Sequence, residues 1–323
     1  MIAIQRRTVM GLGTAVLATP ALAQAWPARP VTLVVGYPPG GQTDFAARIV
    51  QPGLARALGQ TIVIENRGGA GGNLGTEHVV RARPDGYTLL ASNSSPMVIN
   101  PHTFPAAGFD PMDLLNVCMI LDAPLAFCVH PAIPARNVRE VAEWIRSRPG
   151  MVDYGIPAAG SLPHLAMEMF RARLSLPEMQ RIPYRGSGPA LQDFVAGRFP
   201  IMADSLSVMA PALSGGQARG VMMSSAARVP AFVDVPTAGE QGIEDFVVGA
   251  WTGLSAPAGT PPEILARLNA AMNEALRDEN VRERIMAQGA VVGGGTAAAF
   301  DARVREDHRR FGAVARTNNI SSG

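Results

Sequence analysis

The sequence predicts an α/β fold with largely parallel sheets, and two observations lead to that prediction. Short apolar runs rich in Val, Ile and Leu alternate with segments of helical periodicity along most of the 323 residues. Loops rich in glycine, proline and small polar residues separate these segments. Strands that alternate with helices are typical of sheets whose faces are covered by the connecting helices.

The elements follow from these patterns in chain order. Pro52 and Gly53 should kink or interrupt the first helix, because proline removes a backbone donor. A later helix carries Val138, Val141 and Ile145 on one apolar face. Strands are predicted at 31–37, 61–66, 87–92, 153–157, 199–204 and 219–224, and helices at 44–59, 76–82, 138–147, 162–174, 190–196, 262–276, 281–289 and 297–311.

Residues 1–25 have the features of an export signal. Arg6 and Arg7 precede an apolar stretch, and small residues follow it up to a cleavage site near Ala23 or Ala25. No later stretch approaches the roughly 18 apolar residues that a membrane span requires. We therefore expect an exported, periplasmic protein, with Sec and twin-arginine export both open.

Charge composition excludes several function classes. All 28 basic residues are arginine, and removal of Arg6 and Arg7 leaves 26 arginines against 26 acidic residues. This balance argues against a nucleic acid or an anionic membrane surface as partner. The absence of lysine excludes Schiff-base and P-loop chemistry.

Two cysteines, Cys118 and Cys128, lie in the apolar run NVCMILDAPLAFCVHP. In an oxidising compartment they could form a disulfide if neighbouring strands brought them together. They could equally be two buried free thiols. The sequence leaves both alternatives open.

Three strand–loop–helix junctions are candidate binding loops. In YPPGGQTD (37–44), Gly40 and Gly41 let a ligand approach the backbone, and Thr43 or Asp44 occupies the expected N-cap. A helix start offers unpaired N–H groups and a positive dipole end, which suit a carboxylate or a phosphate. Because parallel strand ends converge, we expect the three loops to meet at one crevice.

The other two loops carry no nucleotide or metal signature. GGAGGNLGTEH (68–78) fails the dinucleotide spacing, because Leu74 stands where the third glycine belongs. In GIPAAGSLPH (155–164), Gly160 and Ser161 precede a helix that carries His164. His164 and Glu168 lack a third metal ligand nearby. No cofactor or metal is expected.

Catalytic patterns are lacking as well. No serine lies in a G-x-S-x-G turn, and both cysteines lie in apolar runs. A carboxylate pair could form from Asp44 and Asp204, but nothing in their spacing requires it. We therefore predict that the protein is not an enzyme.

The segments YPPGGQTDFAAR, LGQTIVIENRGGAGGNLGT, PDGYTLL, PYRGSGPAL, VPTAGEQG and WTGLSAPAGTPPEI, in this order, resemble the Bug-type solute-binding receptors of tripartite tricarboxylate transporters. The resemblance covers residues 26–311. It implies a two-lobed periplasmic binding protein of type II, the Venus flytrap, in which each lobe is a mixed sheet flanked by helices. The implied lobes comprise residues 26–127 plus 225–323 and residues 128–224.

The resemblance also implies the site. Family members hold a ligand carboxylate through backbone groups and ordered water of two loops, one on each side of the cleft. The implied ligand-binding residues are Tyr37, Pro39, Gly40, Gly41, Asp44, Gly71, Gly72, Ser92, Ser94, Pro157, Ala159, Gly160, Ser161, His164, Arg185, Gly186 and Asp204.

The function so implied is capture of a small carboxylate (a di- or tricarboxylate, an amino acid or an aromatic acid) and its delivery to a membrane permease by a monomeric receptor. Ile156, Ala158, Ala159 and Leu162 make one wall more apolar than is usual in the family. We therefore hypothesise a ligand whose distal part is less polar than a plain dicarboxylate. An exported α/β enzyme acting on a carboxylate and a ligand sensor for a membrane-bound regulator are the alternatives.

Overall fold

The computed structural model describes residues 26–104 and 108–317, and the predicted export signal lies outside them. The α/β prediction is confirmed, and the mixed sheets agree with what the resemblance implied. The expectation of largely parallel sheets is wrong, because five of the nine strand pairings among the described residues are antiparallel. Within the described residues, ten strands form two mixed sheets that share one long strand, and helices cover the faces of both sheets.

The first sheet has six strands. Its order is β2 (Ile62–Asn66), β1 (Val31–Val35), β3 (Thr88–Asn93), β9 (Gly249–Pro257), β4 (Leu114–Val129) and β10 (Val291–Gly294). The first three strands are mutually parallel, whereas β9 and β10 run antiparallel to their neighbours. The helices of this half are α1 (Gln42–Leu58), α2 (Asn73–Val80), α3 (Asn100–Thr103), α8 (Pro262–Arg277), α9 (Glu279–Ala287) and α10 (Ala297–Thr317).

The second sheet continues from β4. Its order is β8 (Arg219–Met223), β4, β7 (Ile201–Ser205), β5 (Asp153–Ile156) and β6 (Gln180–Pro183), with β5 parallel to both its neighbours. Its helices are α4 (Val138–Arg146), α5 (Leu162–Arg173), α6 (Ser187–Val195) and α7 (Leu206–Ser214).

Strand β4 passes from one sheet to the other. It pairs with β9 as far as Pro124 and with β7 from Leu125 onward. Where the chain returns, the buried Ser224 hydroxyl accepts the Leu125 N–H at 2.8 Å and donates to the Val248 carbonyl at 2.6 Å. The division into lobes 26–127 plus 225–323 and 128–224 stays a proposal.

Both cysteines are buried free thiols, so the disulfide alternative is wrong. Cys118 and Cys128 lie on the same strand, β4. Ten residues of extended chain separate their Cα atoms by about 33 Å, far beyond the ~7 Å that a disulfide can span.

Helix α1 is not interrupted at Pro52 and runs on to Leu58. Tertiary packing accounts for this difference from the prediction. A Cβ atom on Gly53 would lie 2.6 Å from the Cβ of Ala275, so the glycine lets α1 and α8 approach closely. Ile49, Val50 and Leu54 are buried on the same helix, and this packing offsets the hydrogen bond that Pro52 cannot make.

Candidate functional site

Four helices begin around one small chamber between the two sheets. They are α1 on the side of the first sheet and α5, α6 and α7 on the side of the second. The chamber, which we call the inner chamber, has a volume of about 40 Å³. Its lining residues are Tyr37, Gly41, Gln42, Thr43, Asn93, Ser94, Ser95, Pro157, Ser161, Leu162, Pro163, Ser187, Asp204, Ser205 and Ala250.

The helix starts make the inner chamber a site for negative charge. Each of the four N-cap residues, Gly41, Ser161, Gly186 and Ser205, makes no capping hydrogen bond through its side chain. First-turn N–H groups have no acceptor within a helix. Helix α5 offers fewer of them than the others, because its Leu162 N–H donates to Ser95 Oγ and Pro163 has none. Each helix start also carries a partial positive charge. Together these groups favour an anion such as a carboxylate.

Several buried polar atoms at the inner chamber lack a hydrogen-bond partner within the described residues. They are Gln42 Oε1, Ser94 Oγ, Ser205 Oγ and Asp204 Oδ2. The Gln42 amide is held in place because its Nε2 donates to the Ala250 carbonyl at 2.6 Å. Buried polar atoms are normally paired, so these four indicate that the chamber binds a polar group or ordered water.

Asp204 is the penultimate residue of β7, lines the inner chamber and is 3 % exposed. Its Oδ1 accepts the Ser205 N–H at 2.7 Å. Burial raises the pKa of this carboxyl to about 6, although the nearby Ser187 hydroxyl and the Ser205 N–H oppose the rise. Asp204 therefore changes its charge close to neutral pH.

A larger outer cavity of about 760 Å³ opens beside the inner chamber and shares Tyr37 and Pro157 with it. Arg185 lines this cavity with an exposed side chain that has no ion-pair partner among the described residues. The other lining residues are Pro38, Pro39, Asn66, Gly68, Gly69, Ala70, Gly71, Gly72, Leu74, Phe104, Ala158, Ala159 and Tyr184.

Tyr37 separates the two spaces as a neutral phenol. Its hydroxyl donates to the Gly71 carbonyl at 2.9 Å. Burial raises the pKa of Tyr37 well above its ordinary value, so the hydroxyl keeps its proton. Gly72 permits this arrangement, since a Cβ there would lie 2.8 Å from the Tyr37 hydroxyl.

Asp44 shapes the proline–glycine loop and does not line either cavity. Its carboxylate accepts the Gly40 N–H at 3.1 Å, the Asn66 amide at 3.0 Å and two Arg48 nitrogens at 2.9 Å. Burial alone would raise the pKa of Asp44, but these donors outweigh it and hold the pKa below its usual value. The N-cap of α1 is Gly41, not Thr43 or Asp44, because Asp44 lies inside the first turn.

His164 holds the loop that precedes α5. Its Nδ1 accepts the Gly160 N–H at 2.9 Å, and its ring is 1 % exposed. Burial, together with the nearby Arg181, lowers the pKa of His164 to about 4 against the opposing effect of Glu168. The ring is therefore neutral at pH 7 and acts on the loop backbone from outside both cavities.

The two sides of the cleft touch each other. The Leu162 N–H donates to Ser95 Oγ at 3.1 Å, and Thr103 Oγ1 donates to the Gly160 carbonyl at 3.1 Å. Gly188 leaves so little room that a Cβ there would lie 3.0 Å from the Pro39 carbonyl oxygen. These contacts describe a closed cleft.

The structure brings most of the predicted site residues to the two cavities. Those that line them are Tyr37, Pro39, Gly41, Gly71, Gly72, Ser94, Pro157, Ala159, Ser161, Arg185 and Asp204. Those that support the loops or the sheet from behind are Gly40, Asp44, Ser92, Gly160, His164 and Gly186.

The predicted ligand-binding residues do not include six polar residues of the inner chamber: Gln42, Thr43, Asn93, Ser95, Ser187 and Ser205. A signal was available for the last two. Ser187 follows Gly186 at the start of α6, and Ser205 is the last residue of β7, directly before α7. The first junction repeats the strand–loop–helix design of the predicted binding loops, and the second is a strand that leads straight into a helix.

The described residues lack both a metal-binding cluster and a membrane-spanning helix. They contain no group of three or more His, Cys, Asp or Glu side chains that could hold a metal ion. They also contain no helix with the length and apolar character needed to cross a bilayer.

Comparison with known proteins gives consistent results. Residues 46–320 match the model of the tripartite tricarboxylate transporter family receptor, TctC. Protein BugT of Bordetella pertussis (strain Tohama I) is 37 % identical over 281 residues, which cover 86 % of each chain. The UPF0065 protein from the tcbD-tcbE intergenic region of Pseudomonas sp. (strain P51) is 33 % identical over 296 residues, 90 % of this chain and 88 % of that one.

Solved structures agree with the sequence matches. MatC from Rhodopseudomonas palustris with bound malate superposes with a TM-score of 0.85 at 34 % identity, over 90 % of this chain and 99 % of that chain. An R. palustris protein solved with adipate gives a TM-score of 0.88 at 32 % identity, over 92 % and 99 %. The periplasmic binding protein BugD gives 0.87 at 29 % identity, over the same shares. The predicted periplasmic binding protein fold is confirmed, and the chain belongs to the receptor family of the tripartite tricarboxylate transporters.

Proposed function

We propose that the protein captures a small organic acid in the periplasm and delivers it to the permease of a tripartite tricarboxylate transporter. One carboxylate of the acid occupies the inner chamber, and the rest of the molecule extends past Tyr37 into the outer cavity. One observation carries this proposal: four helices begin at the inner chamber, and the residues described as lining it include no cationic side chain.

Backbone donors suit a carrier that must release its ligand. Each charge-assisted hydrogen bond to a carboxylate contributes about 1.5–3 kcal/mol, and helix starts add further attraction. The malate and adipate present in two related structures are acids of this kind. Family membership and the chemistry of the chamber both favour a receptor over an exported enzyme.

The outer cavity favours an acid with an apolar body. Ala158 and Ala159 line it together with Phe104 and Leu74, while Arg185 offers one cation at its exposed rim. We propose a ligand whose distal part is largely apolar and whose far end can meet Arg185. In the Ala158→Ser variant, the ranking of polar over apolar acids should change; an unchanged ranking would contradict this assignment.

Thermal unfolding tests the carboxylate proposal. The mature protein is heated with malate, adipate, an aromatic acid and a branched acid, each compared with its amide. A ligand at about a hundred times its dissociation constant adds ~2.7 kcal/mol of stability, a shift of a few degrees. We expect an acid to shift the transition and its amide not to do so. Equal shifts for acid and amide would contradict the proposal.

A proline substitution tests the role of the helix starts. Thr43→Pro removes one backbone donor at the second position of α1, where α5 already carries Pro163. The affinity for the acid should fall about 10- to 100-fold, as expected for one charge-assisted hydrogen bond. Arg139→Pro, at the same position of α4 and outside both cavities, is the matched control and should leave the affinity unchanged.

A further inference from the structure

We propose that the inner chamber takes up one proton together with the ligand carboxylate, and that Asp204 is the group that holds this proton. The inference rests on the proposed function and adds that the affinity for the acid depends on pH through Asp204. Asp204 is thereby a specificity-determining residue of the carboxylate site.

Geometry places two carboxyl groups in one small space. The inner chamber has room for little more than a carboxylate or one to two water molecules. Asp204 contributes the buried Oδ2 to this space, and no donor among the described residues meets it with hydrogen-bond geometry, although the Ser187 and Ser205 hydroxyls lie near the carboxyl. A ligand carboxylate that enters the chamber therefore lies against this oxygen.

Two carboxylates in contact cannot both stay ionised in a buried site, so the pair retains one proton. A protonated Asp204 then donates through Oδ2 to the ligand carboxylate. Its other oxygen, Oδ1, is already used by the Ser205 N–H. Burial has already moved the pKa of Asp204 upward in the free protein, which reduces the cost of taking up the proton.

The other titratable groups around β7 do not provide this proton. Tyr37 faces Asp204 across the inner chamber, but its phenol already keeps its proton. The strand position paired with Asp204 is occupied by Ala126, which cannot titrate. The other titratable side chains on the elements around β7 already have partners within the protein. The pairs are Asp44 with Arg48, His164 with Gly160, Asp193 with Arg198, Tyr154 with Glu168, and Asp122 with Arg303. The remaining group, Cys128, is a buried thiol within β4.

An ammonium group of an amino-acid ligand could also meet an ionised Asp204. The four helix starts around the chamber argue against that occupant, because they repel a cation and attract an anion. The observations therefore favour a carboxylate and a shared proton. Proton uptake distinguishes the two arrangements, since an ammonium needs none.

The expected consequence is a simple pH dependence. Above the pKa of Asp204 in the free protein, the affinity for an acid should fall about tenfold for each unit of pH. In the Asp204→Asn variant the amide NH₂ replaces the protonated carboxyl as donor. This variant should bind the acid without pH dependence and more tightly than the wild type at pH 8.

Isothermal titration calorimetry at pH 7.5 tests the inference, with malate, adipate and acetate as probes. Each titration is repeated in triethanolamine and in Tris buffer, which add no competing oxyanion and differ in ionisation enthalpy, so that the protons taken up can be counted. The wild type should take up about one proton per acid, and Asp204→Asn none. Asp245→Asn, an exposed aspartate outside both cavities, is the control and should behave as the wild type.

The possible results separate this inference from the proposed function. An acid that binds the wild type without proton uptake overturns the inference alone, as does proton uptake that persists in Asp204→Asn. Binding only of α-amino acids, without proton uptake, assigns Asp204 to an ammonium and also overturns it. If no probe binds between pH 5.5 and 7.5, both the proposed function and the inference fail. Carboxyl ¹³C NMR of the wild type is a readout without a variant: the Asp204 signal should stay in its protonated position at pH 7.5 when the acid is bound.

Discussion

Acidification should destabilise the folded protein through His164. The ring is almost fully buried and its Nδ1 accepts the Gly160 N–H, so protonation would place two donors face to face and a charge in the interior. Burial is the main reason that the pKa of this histidine falls to about 4 from the ordinary 6.5. The unfolded chain therefore binds a proton at a higher pH than the folded protein does.

The size of the effect follows from that difference in pKa. The shift from 6.5 to about 4 is about 2.5 units, and one unit corresponds to 1.36 kcal/mol. The unfolding free energy should therefore decrease by about 3 kcal/mol, through protonation of His164, when the pH falls from above 6.5 to 4. The sign is fixed by proton binding: stability rises with pH wherever the unfolded state binds more protons, here between pH 4 and 6.5.

Urea unfolding at pH 7, 6, 5 and 4 measures this dependence, and His164→Asn isolates it. The side-chain amide introduced by this substitution can still accept the Gly160 N–H through its oxygen, but it does not titrate. The difference in unfolding free energy between wild type and variant should decline by about 3 kcal/mol over this range. If the difference stays constant, His164 is not the buried neutral ring described here.

The comparison with a variant is necessary because Asp204 acts in the opposite direction. Its pKa is raised from 3.8 to about 6, so the folded state binds the extra proton, and the associated stability is lost as the pH rises through 6. That contribution is also about 3 kcal/mol, from a shift of about 2.2 units. The wild-type curve alone could therefore be nearly flat, whereas the curves of His164→Asn and Asp204→Asn should slope in opposite directions.

Two further substitutions have effects that can be derived from the structure. Ser224→Ala should lower the unfolding free energy by about 1–3 kcal/mol, because it leaves the buried Leu125 N–H without its side-chain acceptor. Urea unfolding measures this loss, and a loss below about 0.5 kcal/mol would contradict the role of Ser224. Gly72→Ala places a methyl group 2.8 Å from the Tyr37 hydroxyl. Gly216 is the control, because its φ is also positive but a Cβ there would meet nothing within 4 Å. Gly72→Ala should therefore lower the stability more than Gly216→Ala does. Equal losses in the two variants, compared by thermal unfolding, would show that backbone strain alone is responsible.

The sequence patterns predict six of the ten described strands and miss β4, β6, β9 and β10. Strands such as β1 and β2 are short apolar runs between clear loop signals, and their periodicity and composition sufficed. The patterns predict no strand over β4, although it has sixteen residues. Asp122 and Pro124 interrupt its apolar run and hide the strand pattern. Its two halves also pair with strands of different sheets, and that pairing depends on residues far away in the sequence.

The same limit applies to the candidate site. The sequence indicates which loops carry small residues and helix starts, and those loops do meet around the two cavities, with the 68–78 loop at the outer cavity only. It does not indicate the direction in which a side chain points. Asp44 turns toward Arg48, four residues along α1, and His164 turns back to Gly160, four residues before it. Both spacings were available as signals for a loop-holding role, because such local bonds compete with ligand contacts.

The division of donors between the two sides of the cleft links binding to closure. Helix α1 belongs to the first sheet, whereas α5, α6 and α7 belong to the second, so the complete set of helix starts exists only when the cleft is closed. Opening would separate α1 from the other three and also break the bond between Ser95 and Leu162. Under the proposed function, a carboxylate should therefore bind the closed form more tightly and shift the population toward it. The described lining of the inner chamber holds no cationic side chain, so the attraction for the acid consists of several modest contributions from helix starts. Opening of the cleft removes these contributions together, and the same site can therefore both capture its acid and release it.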